Sequence, residues 1–367
     1  MVSFAPMSNE LEAVIVLLSD LHFGNDLYDE AKGASCHLPW WLKFKQNKIN
    51  EIFRRRCTAH DMGILKRLPR YLKYLLLELG RPDFDLYLVL GDLATQPTGS
   101  SYSFLTKYLT QQAYVTGNGD SKHEIAGLNI DPKKLILIPG NHDKLLQTDL
   151  KLYQQNMLLK LGKGPEPSPR GCHLQSLSIG IRQFLFVLVE ASCYAKQKDV
   201  LDLSFRDHLA RGAIDEKLKL EIKRKLRRLK RGNEVDQVRL DNYDRTIRIL
   251  MVHYAVDVAR VLGTSSAIKS LGVPHQCDGL NDLVTDLRSH FHLVIHGHLH
   301  QSRIYDQEEV PVVAITTTTQ RGGDNGFFLL KLFSNGDLLS EHHRWHQTGF
   351  LPDDRQEFNQ TLITGLQ

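Results

Sequence analysis

The sequence predicts an α/β protein with its chemistry placed at strand ends. Short unbroken apolar runs of strand length alternate with longer stretches of helical period, the pattern of sheets covered by helices. Five of those apolar runs end in Asp, Asn or His. At 367 residues, with 42% hydrophobic and 24% charged side chains, the chain has the composition of a globular protein with a large core.

In chain order, residues 13–18 form the first apolar run, and Ser19, Asp20, Leu21 and His22 follow. In an extended backbone, residues two apart point to one side, so Asp20 and His22 can grip one metal ion. Taken singly, Asp-x-His is also the composition of an ordinary loop. The interval 25–82 is longer than a crossover needs. Helices are expected over 40–56 and 70–79, the second with Pro69 near its start. Residues 86–90 are a strand closed by Gly91 and Asp92, and a helix is expected over 101–112. The polar, glycine-rich run 116–129 reads as a loop.

Residues 135–138, Leu-Ile-Leu-Ile, are a buried strand that Pro139 ends, because proline cannot donate to a sheet ladder. Gly140 permits a tight turn, and Asn141, His142 and Asp143 follow before a helix to about residue 161. Asn and Asp are ordinary turn and cap residues, so this stretch alone also reads as a plain strand-to-helix turn. Pro165, Pro167 and Pro169 mark an exposed connector, and strands follow at 174–179 and 183–189.

The interval 191–245 contains a helix over 214–231, with Ile214, Leu218, Ile222, Leu226 and Leu229 on one stripe. Its other face carries Lys217, Lys219, Lys223, Arg224, Lys225, Arg227, Arg228, Lys230 and Arg231. Such a face is solvated, a docking face for a polyanion such as nucleic acid or an acidic partner, or a membrane-surface contact. Residues 248–252 form a strand ending at His253. A helix over 280–290 and a strand over 291–295 lead to His296-Gly297-His298-Leu299-His300, where His298 and His300 repeat the spacing of Asp20 and His22. Strands are expected at 302–305, 311–318, 327–333 and 338–345, with a hairpin turn at Asn335-Gly336-Asp337.

The net charge is +4 with His neutral. The five cysteines are odd in number and widely spaced with no Cys-x-x-Cys, which argues for a reducing, cytoplasmic setting over a disulfide framework. The apolar run near the N-terminus is too short for a membrane span, and no membrane association is expected.

Asp20, His22, Asp92, Asn141, His253, His298 and His300 make seven metal-capable groups of N/O type. With one carboxylate shared, they give two ions four protein ligands each. In the order Asp-x-His, Gly-Asp, Gly-Asn-His-Asp, His, Gly-His-x-His, the chain resembles the calcineurin-like metallophosphoesterase superfamily from about residue 13 to about residue 345. The fourth block departs from the common His-Pro pattern, being Val252-His253-Tyr254-Ala255.

The resemblance implies a four-layer αββα sandwich of two mixed sheets, with a dinuclear metal site at the strand tips. It implies a single domain over 1–367 with helical insertions at about 25–82 and 191–245. One ion would be held by Asp20, His22, Asp92 and His300, the other by Asp92, Asn141, His253 and His298. His142 would be the proton donor or oxyanion stabiliser, and Asp143 would orient it. The implied substrate is a phosphate ester, attacked by a hydroxide between two divalent ions of Mn, Fe, Zn, Co or Ni. A nuclease and a non-catalytic scaffold of the same fold are the alternatives. Phe23, Asn25 and Tyr254 adjoin the motifs and are candidates for the pocket wall, with Arg321 a candidate substrate contact.

Overall fold

The computed structural model describes residues 10–23, 62–94, 98–116, 123–143, 151–163, 171–191, 212–262, 277–319, 325–347 and 349–365. The expected helix over 40–56, Asn25 and Arg321 lie outside these residues.

The first sheet begins with β1 (Leu11–Ser19), which leads through α1 (Met62–Glu78) to β2 (Leu86–Leu90). After α2 (Gly99–Thr110) come a small hairpin, β3 (Ala113–Thr116) with β4 (His123–Ala126), and then β5 (Leu135–Ile138). The second sheet takes β6 (Gly171–Ile179) and β7 (Arg182–Glu190). A short β8 (Gly212–Ala213) precedes α3 (Glu216–Lys230), and β9 (Ile247–Val252) follows. Next come α4 (Val258–Leu262), β10 (Cys277–Asp278), α5 (Leu280–Asp286), β11 (Leu293–His296), β12 (Arg303–Gln307) and β13 (Val310–Ala314). The chain then returns to the first sheet with β14 (Gly326–Phe333), β15 (Leu338–His346), β16 (Gly349–Pro352) and β17 (Thr361–Ile363).

One sheet runs β16-β15-β14-β1-β2-β5, with β17 also on β15; the other runs β12-β13-β11-β9-β7-β6. Both mix parallel and antiparallel pairs. Alternation along the strands sorts the core into three layers. On β1, Ala13, Ile15 and Leu17 join Phe184, Ile249, Met251 and Ile295 in a core between the sheets. Val14, Val16 and Leu18, one residue out of phase, pack with Leu65, Leu68, Tyr102 and Leu105 of α1 and α2. On the far side, Val187, Leu250 and Val294 pack with Leu218, Ile222, Leu226 and Leu229 of α3. The order is therefore helix, sheet, sheet, helix. Strands buried on both faces explain why the sequence shows unbroken apolar runs.

Several expected elements need correction. The helix placed at 70–79 starts at Met62, so Pro69 lies inside it. Proline has no N–H for the carbonyl four residues earlier. That carbonyl, Leu65 O, instead accepts from the buried Tyr108 hydroxyl at 2.7 Å, so α2 supplies the bond that α1 lacks. The run 116–129 is not all loop, because it contributes to the β3–β4 hairpin. The strand expected over 311–318 stops at Ala314. The basic helix covers the outer face of the second sheet, and its expected apolar stripe is buried.

Candidate metal centre

β1, β2 and β5 are mutually parallel, as are β9 and β11, so their carboxyl ends gather at one edge of each sheet. The predicted donors follow those ends. Asp20, His22, Asp92 and His300 form one group of convergent ligand atoms, and Asp92, His253 and His298 a second. Asp92 is common to both. His300 Nε2 lies 3.3 Å from Asp20 Oδ1 and 3.3 Å from His22 Nε2. His22 Nε2 is 3.8 Å from Asp92 Oδ2. On the other side, His253 Nε2 is 3.4 Å from Asp92 Oδ1, 3.1 Å from Asn141 Oδ1 and 3.2 Å from His298 Nδ1. Asn141 thus joins the second group.

The backbone achieves this differently from the extended geometry expected. Asp20, His22, Asp92, His298 and His300 have φ of 50°, 45°, 42°, 73° and 54°. Left-handed conformations of this kind cost roughly 1–2 kcal/mol per L residue, and they cluster where function holds them. Asp20 and His22 therefore converge because left-handed residues alternate beyond the end of β1, not because β1 continues. Hydrogen bonds hold the bent segments: His22 N to Asp92 O at 2.8 Å and Phe23 N to Leu93 O at 2.9 Å. Phe23 itself is buried in the core against Tyr108, so it does not line a pocket.

The motif glycines provide clearance. A Cβ on Gly91 would stand 2.1 Å from His253 Nδ1, one on Gly140 2.2 Å from Asp92 Oδ1, and one on Gly297 2.6 Å from Asp20 Oδ2. Each glycine touches a donor from another block, which is why each precedes or sits among donors in sequence.

Four consecutive threonines, absent from the expected site, brace it from behind. Thr316 Oγ1 donates to His300 O at 3.0 Å, Thr317 Oγ1 to Asp20 O at 2.8 Å, and Thr319 Oγ1 to Leu21 O at 3.2 Å. Thr318 donates from both N and Oγ1 to Ser19 O, at 3.2 Å each. The Thr-Thr-Thr-Thr run was the available signal, since four β-branched hydroxyls in a row are out of place in a strand facing apolar neighbours on both sides.

Asp143 is fully buried between the second and third blocks. Its carboxylate accepts from the N–H groups of Leu93 at 3.0 Å, Ala94 at 3.1 Å and Gly140 at 2.9 Å, and from the Tyr102 hydroxyl at 3.2 Å. These bonds pin the loop after β2 to the turn after β5. His142 donates its backbone N–H to Asp92 Oδ1 at 2.8 Å, and its Nε2 lies 3.9 Å from Asp92 Oδ2. The His142 ring meets the His22 ring edge-on at 4.9 Å. Tyr254 is buried, its ring centroid 5.3 Å from that of His253 and 5.0 Å from that of His298.

Burial raises the cost of charge on Asp92, but His142, His253 and His22 around it hold its carboxyl well below the usual range. Burial also disfavours the His253 imidazolium, yet Asp92 and Asp20 push it up to about 9. Burial pushes Asp143 up to about 7, with the Asp92 charge adding to it and the three backbone N–H groups opposing. The carboxylates thus create a site that stabilises positive charge, for which a metal dication and imidazolium protons compete.

The donor set fits divalent ions. It offers imidazole, carboxylate and amide groups and no thiolate, the combination suited to borderline and hard first-row metals. Asp20 Oδ1 is buried and faces His300 Nε2 at 3.3 Å, an acceptor oriented at the first group. The His253 Nδ1 atom lies 3.4 Å from Leu90 O, which places a proton on Nδ1 and leaves Nε2 to ligate.

Two stacked sheets with helices outside and an Asp/His cluster sharing one carboxylate at their tips define an α/β protein with a candidate metal centre. A family model described as calcineurin-like phosphoesterase matches residues 13–302, and the protein belongs to that family. No curated protein matches the sequence. The chain is similar to the solved structure of GAP50, the anchor in the inner membrane complex of Plasmodium. The TM-score is 0.45 and the identity 12%, over 98% of this chain and 90% of that one. It is also similar to the phosphopantetheinyl hydrolase of Mycobacterium tuberculosis, with TM-score 0.41 and 12% identity over 84% and 90% of the two chains. Vacuolar protein sorting 29 of Cryptosporidium parvum gives TM-score 0.33 and 11% identity over 94% and 97%. Among the described residues, no helix is long and apolar enough to cross a membrane.

Proposed function

We propose that the protein is a metal-dependent phosphoesterase that hydrolyses a phosphate mono- or diester, with nucleotides and cyclic nucleotides as the substrate class to test first. Asp20, His22, Asp92 and His300 would hold one divalent ion, and Asp92, Asn141, His253 and His298 a second. Bound there, such ions supply Lewis-acid charge to phosphoryl oxygens and acidify water.

The chain's own groups account for the remaining roles. Asp92 positions both half-sites through one carboxylate. His142 lies beside the donors but outside both convergent groups, and in this reading it would give a proton to the departing ester oxygen. Asp143 keeps the Asp92 and Asn141 segments in register by its backbone bonds.

The observation that carries the proposal is the convergence of all the expected donors on two groups sharing Asp92. The same observation favours an enzyme over a scaffold, because a scaffold has no need to keep every donor or the strained backbone that aims them. The test is a panel of cyclic nucleotides, mononucleotides, nitrophenyl phosphodiesters and single-stranded DNA with added Mn. The expected result is Mn-stimulated turnover that Asp92→Asn abolishes while weakening both ions together. A chain that binds two ions and turns over none of the panel supports the scaffold reading instead.

A further inference from the structure

Helix α3 carries a dense run of positive charge. Residues 215–231 hold nine basic and three acidic side chains, net +6 against +4 for the whole chain, so all remaining residues sum to −2. Folding α3 does not require this. Its attachment to the second sheet is made by Leu218, Ile222, Leu226 and Leu229, all buried. Lys223, Arg227 and Arg231 stand at i, i+4 spacing, as do Arg224 and Arg228. Each such like-charge pair destabilises a helix by roughly 0.2–0.5 kcal/mol. Attraction to the helix dipole offsets this only in the last turn.

Two of the lysines are turned to the protein. Lys219 pairs with Asp286 at 2.5 Å, and Lys225 with Glu221 at 3.0 Å and Asp236 at 2.7 Å. Lys217, Arg224, Arg227, Arg228 and Arg231 are exposed. Their field reaches neighbouring elements: after burial, the charges of Arg248, Lys230, Arg227 and Lys223 lower the pKa of His290.

The face lies away from the metal centre. Lys230, at the end of α3, sits 3.8 Å from Asp244 and over the Tyr243 ring. Those residues precede β9, whereas His253 follows it. Six residues of strand span about 20 Å.

We infer that the exposed face of α3 is a docking surface for single-stranded nucleic acid, separate from the metal centre. Successive basic residues at i, i+4 rise by about 6 Å, a step that lets them meet successive phosphates of an extended strand. Four of the exposed groups are guanidinium, whose planar fork suits phosphate oxygens. Insertion into a lipid surface would need apolar side chains on the same face. The apolar stripe of α3 is already used against the sheet, and only Leu220 remains exposed.

The test uses the full chain in EDTA, so that no cleavage consumes the probe, and is therefore independent of the phosphoesterase reading. Binding of a fluorescent single-stranded oligonucleotide is followed by anisotropy across a salt series. A variant with Arg224→Gln, Arg227→Gln and Arg231→Gln, all exposed, keeps the helix and its buried stripe. It is expected to bind at least tenfold more weakly, with a salt slope reduced by about 2, from three contacts at roughly 0.7 each. Lys133→Glu, on an exposed residue of the other sheet's side, should bind as the parent does. Metal-loaded turnover of a small nitrophenyl ester should be the same in the triple variant and the parent. No binding by the parent at low salt overturns the inference, as does equal binding by the triple variant. Binding to phosphatidylserine vesicles in preference to the oligonucleotide also overturns it, in favour of a lipid surface.

Discussion

Replacing Gly91 with alanine should remove one metal ion and leave the other. The added Cβ would stand 2.1 Å from His253 Nδ1 and 2.5 Å from its Cγ. Ordinary contact needs about 3.5–4.0 Å, so the ring must retreat by more than about 1 Å. Retreat carries Nε2 off Asp92 and Asn141, which it now meets at 3.4 Å and 3.1 Å. Metal-ligand distances tolerate about 0.2 Å, so His253 is lost as a ligand. The second group then keeps only Asp92, Asn141 and His298, while Asp20, His22, Asp92 and His300 are undisturbed. Affinity for the second ion should fall by at least about 100-fold, beyond the 10–100-fold typical of disturbing a group behind a ligand. The fold should survive. With φ of +68° at Gly91, the backbone strain is about 1–2 kcal/mol. For a chain of 367 residues, 2 kcal/mol lowers Tm by roughly 3 °C. Metal analysis after dialysis against buffered Mn, with calorimetry on the same samples, reads both effects. Retention of two tight ions, or loss of both with Tm nearly unchanged, would refute the reasoning.

His142→Ala should keep both ions, lose about 10²–10⁴-fold in turnover of alkyl or nucleoside esters, and lose far less with nitrophenyl esters. A mutant-to-parent ratio that is flat across leaving-group pKa would make His142 an electrostatic stabiliser only. Asp143→Asn should behave otherwise, because its carboxylate bonds backbone N–H groups of both loops. We expect a loss of about 2–3 kcal/mol in denaturant unfolding, from charge-assisted bonds to a buried group, and a rate loss independent of leaving group. Dependence on leaving group would instead make Asp143 the partner of His142. Acid should weaken the anchoring of β15. Burial raises the cost of charge on Glu341, but His343 and Lys331 bring its pKa down to about 2. A folded pKa below the unfolded value gives stability that is complete above about pH 4.5 and lost as pH falls toward 2. Glu341→Gln should flatten that part of the urea-midpoint profile, and an unchanged slope would exclude the pair as its source.

The blocks of donors were legible because each follows an apolar run, and the runs 86–90 and 135–138 are strands with the expected bounds. The layers were legible only through the family resemblance, since nothing in the run Ala-Val-Ile-Val-Leu-Leu says which side faces a sheet and which a helix. Local geometry was misread where left-handed residues intervene, because Asp-x-His has the same letters whether the backbone is extended or bent. The role of Asp143 depends on its meeting Leu93 and Ala94, some fifty positions earlier in the chain. The helix start at Met62 was hidden by Pro69, whose missing bond is replaced by a tyrosine from another helix.

The pairing of β1 with β14 carries a consequence for where the chain can be cut. Every donor of the metal centre precedes residue 302, where the family match ends. Yet β1, which delivers Asp20 and His22, is flanked on one side by β14, with Ile15 opposite Leu330 and Leu17 opposite Phe328. The threonines that grip Ser19, Asp20 and Leu21 also lie beyond residue 302. A fragment ending there would hold all the chemistry of the centre while leaving β1 a bare, apolar edge, a template for pairing with another chain. During synthesis the donors emerge first and their buttress last, so the centre reaches its final geometry only when the closing strands have come back to the strand that began the fold.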